Sequence, residues 1–247
     1  MSITSEADWD GLREIGRIVR ETLDAAERAT RPGVTTAQLD RVAAAVFADN
    51  GARSAPAMVY GFPGTILISV NDEVVHGIPG ARRLERGDVV KLDVTAEKGG
   101  YMADAARTVV LEGASDRSVR LRACAEAAFT QALTVARAGN QVSAIGRAIE
   151  AEVRRRGFSV IRDLAGHGIG RTIHEAPSVP NYFDARQKDV LTAGMVVAIE
   201  PIISSGSWRV VEDRDGWTIR TVDGSVAAHY EHTVVITRDV PVLLTAA

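Results

Sequence analysis

Apolar residues at Trp9, Leu12, Ile15, Ile18, Val19 and Leu23 recur at helical spacing, which predicts a helix over Glu6 to Arg28. A second helix is expected from a cap at Thr35 or Thr36 to Asn50, where Gly51 stops it. The pattern then changes to short β-rich runs at Thr65 to Val70, Asp88 to Thr95 and Tyr101 to Leu111. Helical spacing returns over Ser115 to Ala138 and over Ser143 to Arg156, ended by Gly157. Further strands are expected at Met195 to Ile203, Trp208 to Val211, Trp217 to Val222 and Ala227 to Thr237.

The return of helices reads as an internal repeat. Arg31, Gly33, Leu39, Arg41, Phe47 and Gly51 match Arg137, Gly139, Ile145, Arg147, Val153 and Gly157 at a constant offset of 106. Each copy sets a long helix, a glycine turn and a shorter helix beside a group of strands. The expected fold is α/β (α+β): two duplicated halves, about 5–112 and 113–247, in one domain spanning 1–247. Their sheets would join about a pseudo-twofold axis under a cover of helices. A site between such halves would draw residues from both.

Composition narrows the function classes. The 247 residues are 46% hydrophobic, enough for a sizeable core. A net charge of -3 offers no basic face for nucleic acid. No apolar run approaches the roughly 18 residues of a membrane span, and the polar, acidic stretch Met1 to Trp9 does not read as a signal peptide. A lone cysteine, Cys124, excludes an internal disulfide and fits a reducing compartment, so a cytoplasmic enzyme is expected.

The chemistry gathers in a few segments. His76 lies in Asn71-Asp-Glu-Val-Val-His-Gly-Ile-Pro79, His167 and His174 lie in Gly166-His-Gly-Ile-Gly-Arg-Thr-Ile-His-Glu175, and His229 and His232 flank Glu231. If Lys98-Gly99 forms a two-residue hairpin turn, residues whose numbers sum to 197 face each other, Asp93 and Asp104 among them. Facing carboxylates repel unless a cation lies between them, although an ordinary solvent-facing strand pair would look the same. Glu200, inside the apolar run Gly194 to Ile203, is harder to read that way, since a buried carboxylate needs a cation, a metal or a proton. Glu231, ahead of Thr233-Val-Val-Ile236, repeats the situation. Two Asp, two Glu and His167 suit a pair of divalent first-row ions, and the glycines around His167 allow close backbone approach.

These motifs, with Asp93-x10-Asp104, Ile199-Glu-Pro201 and Tyr230-Glu-His-Thr233, resemble those of type I methionine aminopeptidases, from about Leu12 to Thr237. The resemblance implies the "pita-bread" fold and two divalent ions (Co, Mn, Fe or Zn) held by Asp93, Asp104, His167, Glu200 and Glu231. It implies that Asp104 and Glu231 bridge the ions and that His76 and His174 contact substrate. In such an enzyme Glu200 would carry the proton, His174 would stabilise the carbonyl oxygen, and His76 would hydrogen-bond the scissile amide. The implied substrate is the N-terminal methionine of nascent polypeptides, met at the ribosome by a monomeric enzyme that needs neither nucleic acid nor membrane.

The pocket positions depart from the family pattern. Val75 stands before His76 where many relatives have cysteine, Leu67 replaces another common cysteine, Ile173 a larger residue, and Phe62 a tyrosine. Phe62, Leu67, Ile173 and Trp217 are the expected lining of the side-chain pocket, although Trp217 also reads as plain core. Two rivals stand beside this reading. An Xaa-Pro aminopeptidase or prolidase of the same superfamily would usually carry a further domain ahead of Leu12. A non-catalytic binding protein would typically have lost one of the five ligands. The remaining features read as structural: Arg154-Arg-Arg156 as a solvated helix end and Cys124 as packing.

Overall fold

The computed structural model describes residues 1–246. The first half opens with α1 (Glu6–Ala29) and α2 (Thr36–Asn50). Both begin with reciprocal capping boxes, Ser5 with Asp8 and Thr35 with Gln38, which satisfy backbone N–H groups that a helix start leaves free. The cap of α2 is therefore Thr35. There follow β1 (Arg53–Ser54), α3 (Ala55–Tyr60), β2 (Leu67–Val70), β3 (Glu73–Val75), β4 (Val89–Lys98) and β5 (Tyr101–Val110). The second half has α4 (Asp116–Leu133), α5 (Val142–Arg155), β6 (Ser159–Val160), β7 (Ala165–Gly168) and β8 (Glu175–Pro180). It closes with β9 (Val196–Ile199), β10 (Ile202–Ser204), β11 (Val210–Glu212), β12 (Ile219–Thr221), β13 (Ala227–His229), β14 (His232–Val235) and β15 (Val242–Leu243).

The offset of 106 reappears in the hydrogen bonds. Gly33 N–H donates to the Leu84 carbonyl at 2.7 Å and Gly139 N–H to that of Leu191 at 2.8 Å. Leu84 N–H returns to Val34, and Leu191 N–H to Asn140. Leu39 and Phe47 are buried on α2 as Ile145 and Val153 are on α5. Each helix pair covers its own apolar core: α1 and α2 pack on β2, β4 and β5, and α4 and α5 on the strands of the second half.

Paired strands are antiparallel throughout. One sheet joins β1 and β2 to one edge of β4 and β5 to the other, and a five-stranded sheet runs β15-β14-β9-β7-β8. A seam ties the halves together. Ala106 and Glu231 exchange backbone hydrogen bonds, at 2.9 and 3.3 Å. The Thr233 hydroxyl donates to the Asp104 carbonyl and accepts from its N–H, both at 2.8 Å. Thr108 does the same with His229.

Several sequence expectations need correction. The β4–β5 turn is Gly99-Gly100, not Lys98-Gly99, because both central residues have positive φ (59° and 81°), the requirement of the hairpin turn that follows strand twist. Lys98 consequently faces Tyr101, Asp93 faces Ala106, and Asp104 faces Thr95. Since the register moves by two, Asp93 and Asp104 stay on one face as diagonal neighbours. The fourth helix stops at Leu133 rather than Ala138, because the N–H groups of Ala138 and Gly139 bond to Thr237 and Leu191 instead. The runs Met195 to Ile203 and Ala227 to Thr237 are not single strands: each breaks at a glutamate. Glu200-Pro201 separates β9 from β10, and Tyr230-Glu231 separates β13 from β14.

Candidate metal centre and substrate cavity

The two breaks lie opposite each other. Ile199 pairs with His232 and Ile202 with His229, so Glu200-Pro201 faces Tyr230-Glu231 where the chain passes from the five-stranded sheet to the β6-β10-β13 sheet. Proline has no N–H and cannot continue the ladder, which releases the glutamate before it from regular pairing. The seam sets Glu231 beside Asp104, and β7 brings His167 next to Ala198 on β9. Gly166 and Gly168 make that approach possible: a Cβ would lie 2.4 Å from the Ala198 carbonyl oxygen at the first and 2.2 Å from that of Ala176 at the second. Gly168→Ala is expected to cost about 1–3 kcal/mol by forcing β7 and β8 apart, measured by urea denaturation. A loss under about 0.5 kcal/mol would show that the strands yield freely.

Asp93, Asp104, His167, Glu200 and Glu231 share the wall of one cavity of about 190 Å³, with His76, His174 and His229. It is smaller than the roughly 300–1,000 Å³ of sites for drug-sized ligands, a size for one amino-acid side chain. Phe62, Leu67, Ile173 and Trp217 line the same cavity. Phe62 meets Trp217 edge to face at 5.2 Å. The structure thus brings the candidate site residues into one place, while His232, from the same motif as Glu231, bonds instead to Thr245 and Tyr230.

The electrostatics are those of carboxylates lacking counter-charge. Burial drives Asp93, Glu200 and Glu231 well above the usual carboxylate range, and their negative neighbours add to it, Asp104 foremost. Burial lifts Asp104 to about 6 against opposing hydrogen bonds from Thr95, Asp93 and Ala105. Oδ1 of Asp93, Oδ1 of Asp104 and Oε1 of Glu231 are buried without a hydrogen-bond partner among the described residues. Buried polar atoms are nearly always satisfied, so a cluster of orphaned carboxylate oxygens marks the place of cations. Two trios, Asp93–His229–Glu231 and Asp104–His167–Glu231, each present ligand atoms within 4.8 Å of one another.

The histidines are held neutral, first of all by burial. His167 is lowered to about 4 and His229 to about 3, and His76 and His174 are lowered too. Nδ1 of His167 donates to its neighbour's carbonyl, Gly168 O, at 2.9 Å, leaving the Nε2 lone pair directed at the carboxylates, 3.6 Å from Glu200. His76 adopts a left-handed backbone (φ 61°), a strained conformation for a non-glycine residue and one that tends to persist where function holds it. His174 meets His167 in a T-shaped contact at 4.4 Å and shares a 2.6 Å hydrogen bond with the Tyr60 hydroxyl. Tyr60 and His174 are the exposed members of the cavity wall.

Among the cavity residues given no role from the sequence are Tyr60, Thr95 and His229. Tyr60 sits on a helix of six residues, too short to show a period. Thr95 is two residues beyond Asp93, on the same strand face. His229 was visible only as a neighbour of Glu231.

The sequence profile of metallopeptidase family M24 matches residues 10–238. The chain belongs to this family. Among M24 relatives, methionine aminopeptidase 2 of Bacillus subtilis is 45% identical over 247 residues, covering 99% of each chain. The crystal structure of a methionine aminopeptidase from Thermotoga maritima superposes with a TM-score of 0.96 at 34% identity over the whole of both chains. A prolidase from Pyrococcus furiosus shares the fold, with a TM-score of 0.80 at 21% identity, but the match covers only 65% of its chain.

Proposed function

We propose that this M24 enzyme hydrolyses the first peptide bond of peptides and proteins that begin with methionine, using two divalent metal ions. The observation that carries the reading is the union, in one cavity, of a five-residue acidic and imidazole cluster with a small apolar pocket. Full-length similarity to methionine aminopeptidases supports it. The ions would be held by Asp93, Asp104, His167, Glu200 and Glu231, whose orphaned oxygens fit them. When bound, they supply Lewis acidity and an activated water.

The remaining roles fall to the protein. Phe62, Leu67, Ile173 and Trp217 surround the first side chain, and methionine suits them because its unbranched thioether adapts to irregular apolar walls. Glu200 takes the proton from the attacking water and passes it to the leaving amine. His174, neutral and anchored by Tyr60, donates to the oxygen that gains charge, and His76 hydrogen-bonds the scissile amide. Nascent chains in the cytoplasm are the natural substrates in this reading, and the buried, reduced Cys124 suits that compartment.

The test is a metal analysis of the purified protein together with cleavage of Met-Ala-Ser. Two ions per chain and release of free methionine are expected; an inert, metal-free protein would leave only a binding role. His174→Ala should lower kcat about 10²–10³-fold. A change of less than about twofold would remove His174 from the mechanism.

A further inference from the structure

His229 has no role among the five residues assigned to the metals, yet it lies between them. It ends β13, and its backbone is fixed on both sides by Thr108: its N–H donates to the Thr108 hydroxyl at 2.9 Å, and that hydroxyl donates to its carbonyl at 2.7 Å. The ring is enclosed, 2% exposed, and neither nitrogen has a hydrogen-bond partner among the described residues. Nε2 lies 3.5 Å from Oε2 of Glu231 and 3.7 Å from Oε2 of Glu200, and Nδ1 lies 4.0 Å from Oδ2 of Asp93.

These separations discriminate between two roles. An N–H···O hydrogen bond spans about 2.7–3.2 Å, so the ring is not bonded to any of the three carboxylates. Two atoms that bind one ion at about 2.0–2.2 Å stand roughly 3–3.6 Å apart in tetrahedral or octahedral geometry. Nε2 of His229 and Oε2 of Glu231 meet that requirement, as do His167 and Glu200 at 3.6 Å, while Asp93 comes within the 4.8 Å of its trio, its 4.0 Å contact being to Nδ1. The two trios share only Glu231, and each contains one imidazole: His229 with Asp93, and His167 with Asp104.

We propose that His229 is a sixth metal ligand, its imidazole binding the ion held by Asp93 and Glu231 as His167 binds the other. This rests on the two-metal reading above and adds to it a nitrogen donor for each ion. An imidazole on both ions favours Co, Fe or Zn over the harder Mn, which prefers oxygen.

The experiment uses Co²⁺ alone. Metal-free protein is titrated to two equivalents, and the proton NMR spectrum in water is searched for exchangeable imidazole N–H resonances shifted far outside the diamagnetic range, which arise only from rings bound to the paramagnetic ion. Two such resonances are expected in the native protein, the His167 Nδ1–H being one, and one in His229→Gln. Calorimetry of the same variant should show one of the two Co²⁺ sites weakened at least about 10-fold and the other unchanged. A single resonance in the native protein, retained in His229→Gln, would reject His229 as a ligand while leaving the two-metal centre intact. No shifted imidazole at two bound equivalents would reject the centre itself. The native count stands even if the variant fails to fold.

Discussion

Glu200→Gln is expected to lower kcat on Met-Ala-Ser by about 10²–10⁴-fold while KM stays within a few-fold. The substitution keeps the shape of the side chain and removes its capacity to carry a proton. Its position explains why the effect should fall on the chemical step. Glu200 lies in a strand break fixed by Pro201, and the Asn181 side chain donates to its carbonyl at 2.9 Å. Its carboxylate is buried 3.6–3.7 Å from His167 and His229, so a glutamine there has little room to swing out. Because Glu200 is also among the proposed ligands, metal content is measured beside the kinetics. A variant that keeps both ions and loses less than about tenfold in kcat would move proton transfer to another group.

Removal of the metals should abolish peptide cleavage, with Mn, Co or Fe restoring it, and should also make stability depend on pH in an unusual direction. The folded pKa values of Asp93, Asp104, Glu200 and Glu231 are raised in the metal-free protein, chiefly by burial. Above about pH 4 the unfolded chain has released these protons while the folded chain still holds them, so the unfolded state binds fewer protons and stability falls as pH rises. For Asp104, moved from 3.8 to about 6, the loss develops between those two values; for the other three it continues above them. Buried His167 and His229, held neutral in the folded protein, work the other way below about pH 6.5, so the carboxylate effect is read as a difference: the Tm gap between saturating Co²⁺ and chelator is expected to widen by roughly 5–10 °C from pH 4 to pH 7. A gap that stays constant across this interval would mean that the carboxylates have other partners.

Much of this was legible in the sequence because the signals were local or periodic. Glycines at matching turns and apolar residues at matching helix positions marked the repeat of α2 in α5. The motifs around His76, His167, Glu200 and Glu231 pointed to residues that the fold gathers into one cavity. What escaped depended on tertiary bonding. The hairpin register turned on which two residues take positive φ, and Gly99 and Gly100 do so although Lys98-Gly99 reads equally well. The breaks at Glu200 and Glu231 lie inside apolar runs that look continuous, and only the passage between two sheets shows why each glutamate leaves the ladder. β7 has glycine at two of its four positions and carries no strand pattern, since its backbone bonds to β8 and β9 are what make it a strand. His229 was hidden because a single histidine next to a motif says nothing until its unpartnered nitrogens are seen among the carboxylates.

The proposed union of a metal centre with a pocket for one apolar side chain is tested most directly by a panel of tripeptides varied at the first and second positions. With Co²⁺-loaded enzyme, kcat/KM should be highest for methionine at the first position and for Ala, Ser or Gly at the second. Norleucine should lose only about 1–3 kcal/mol, because apolar walls sort similar shapes weakly. Charged first residues should be left intact, since Phe62, Leu67, Ile173 and Trp217 offer them no partner. A preference for proline at the second position with no demand for methionine at the first would contradict the account and make the enzyme an Xaa-Pro peptidase.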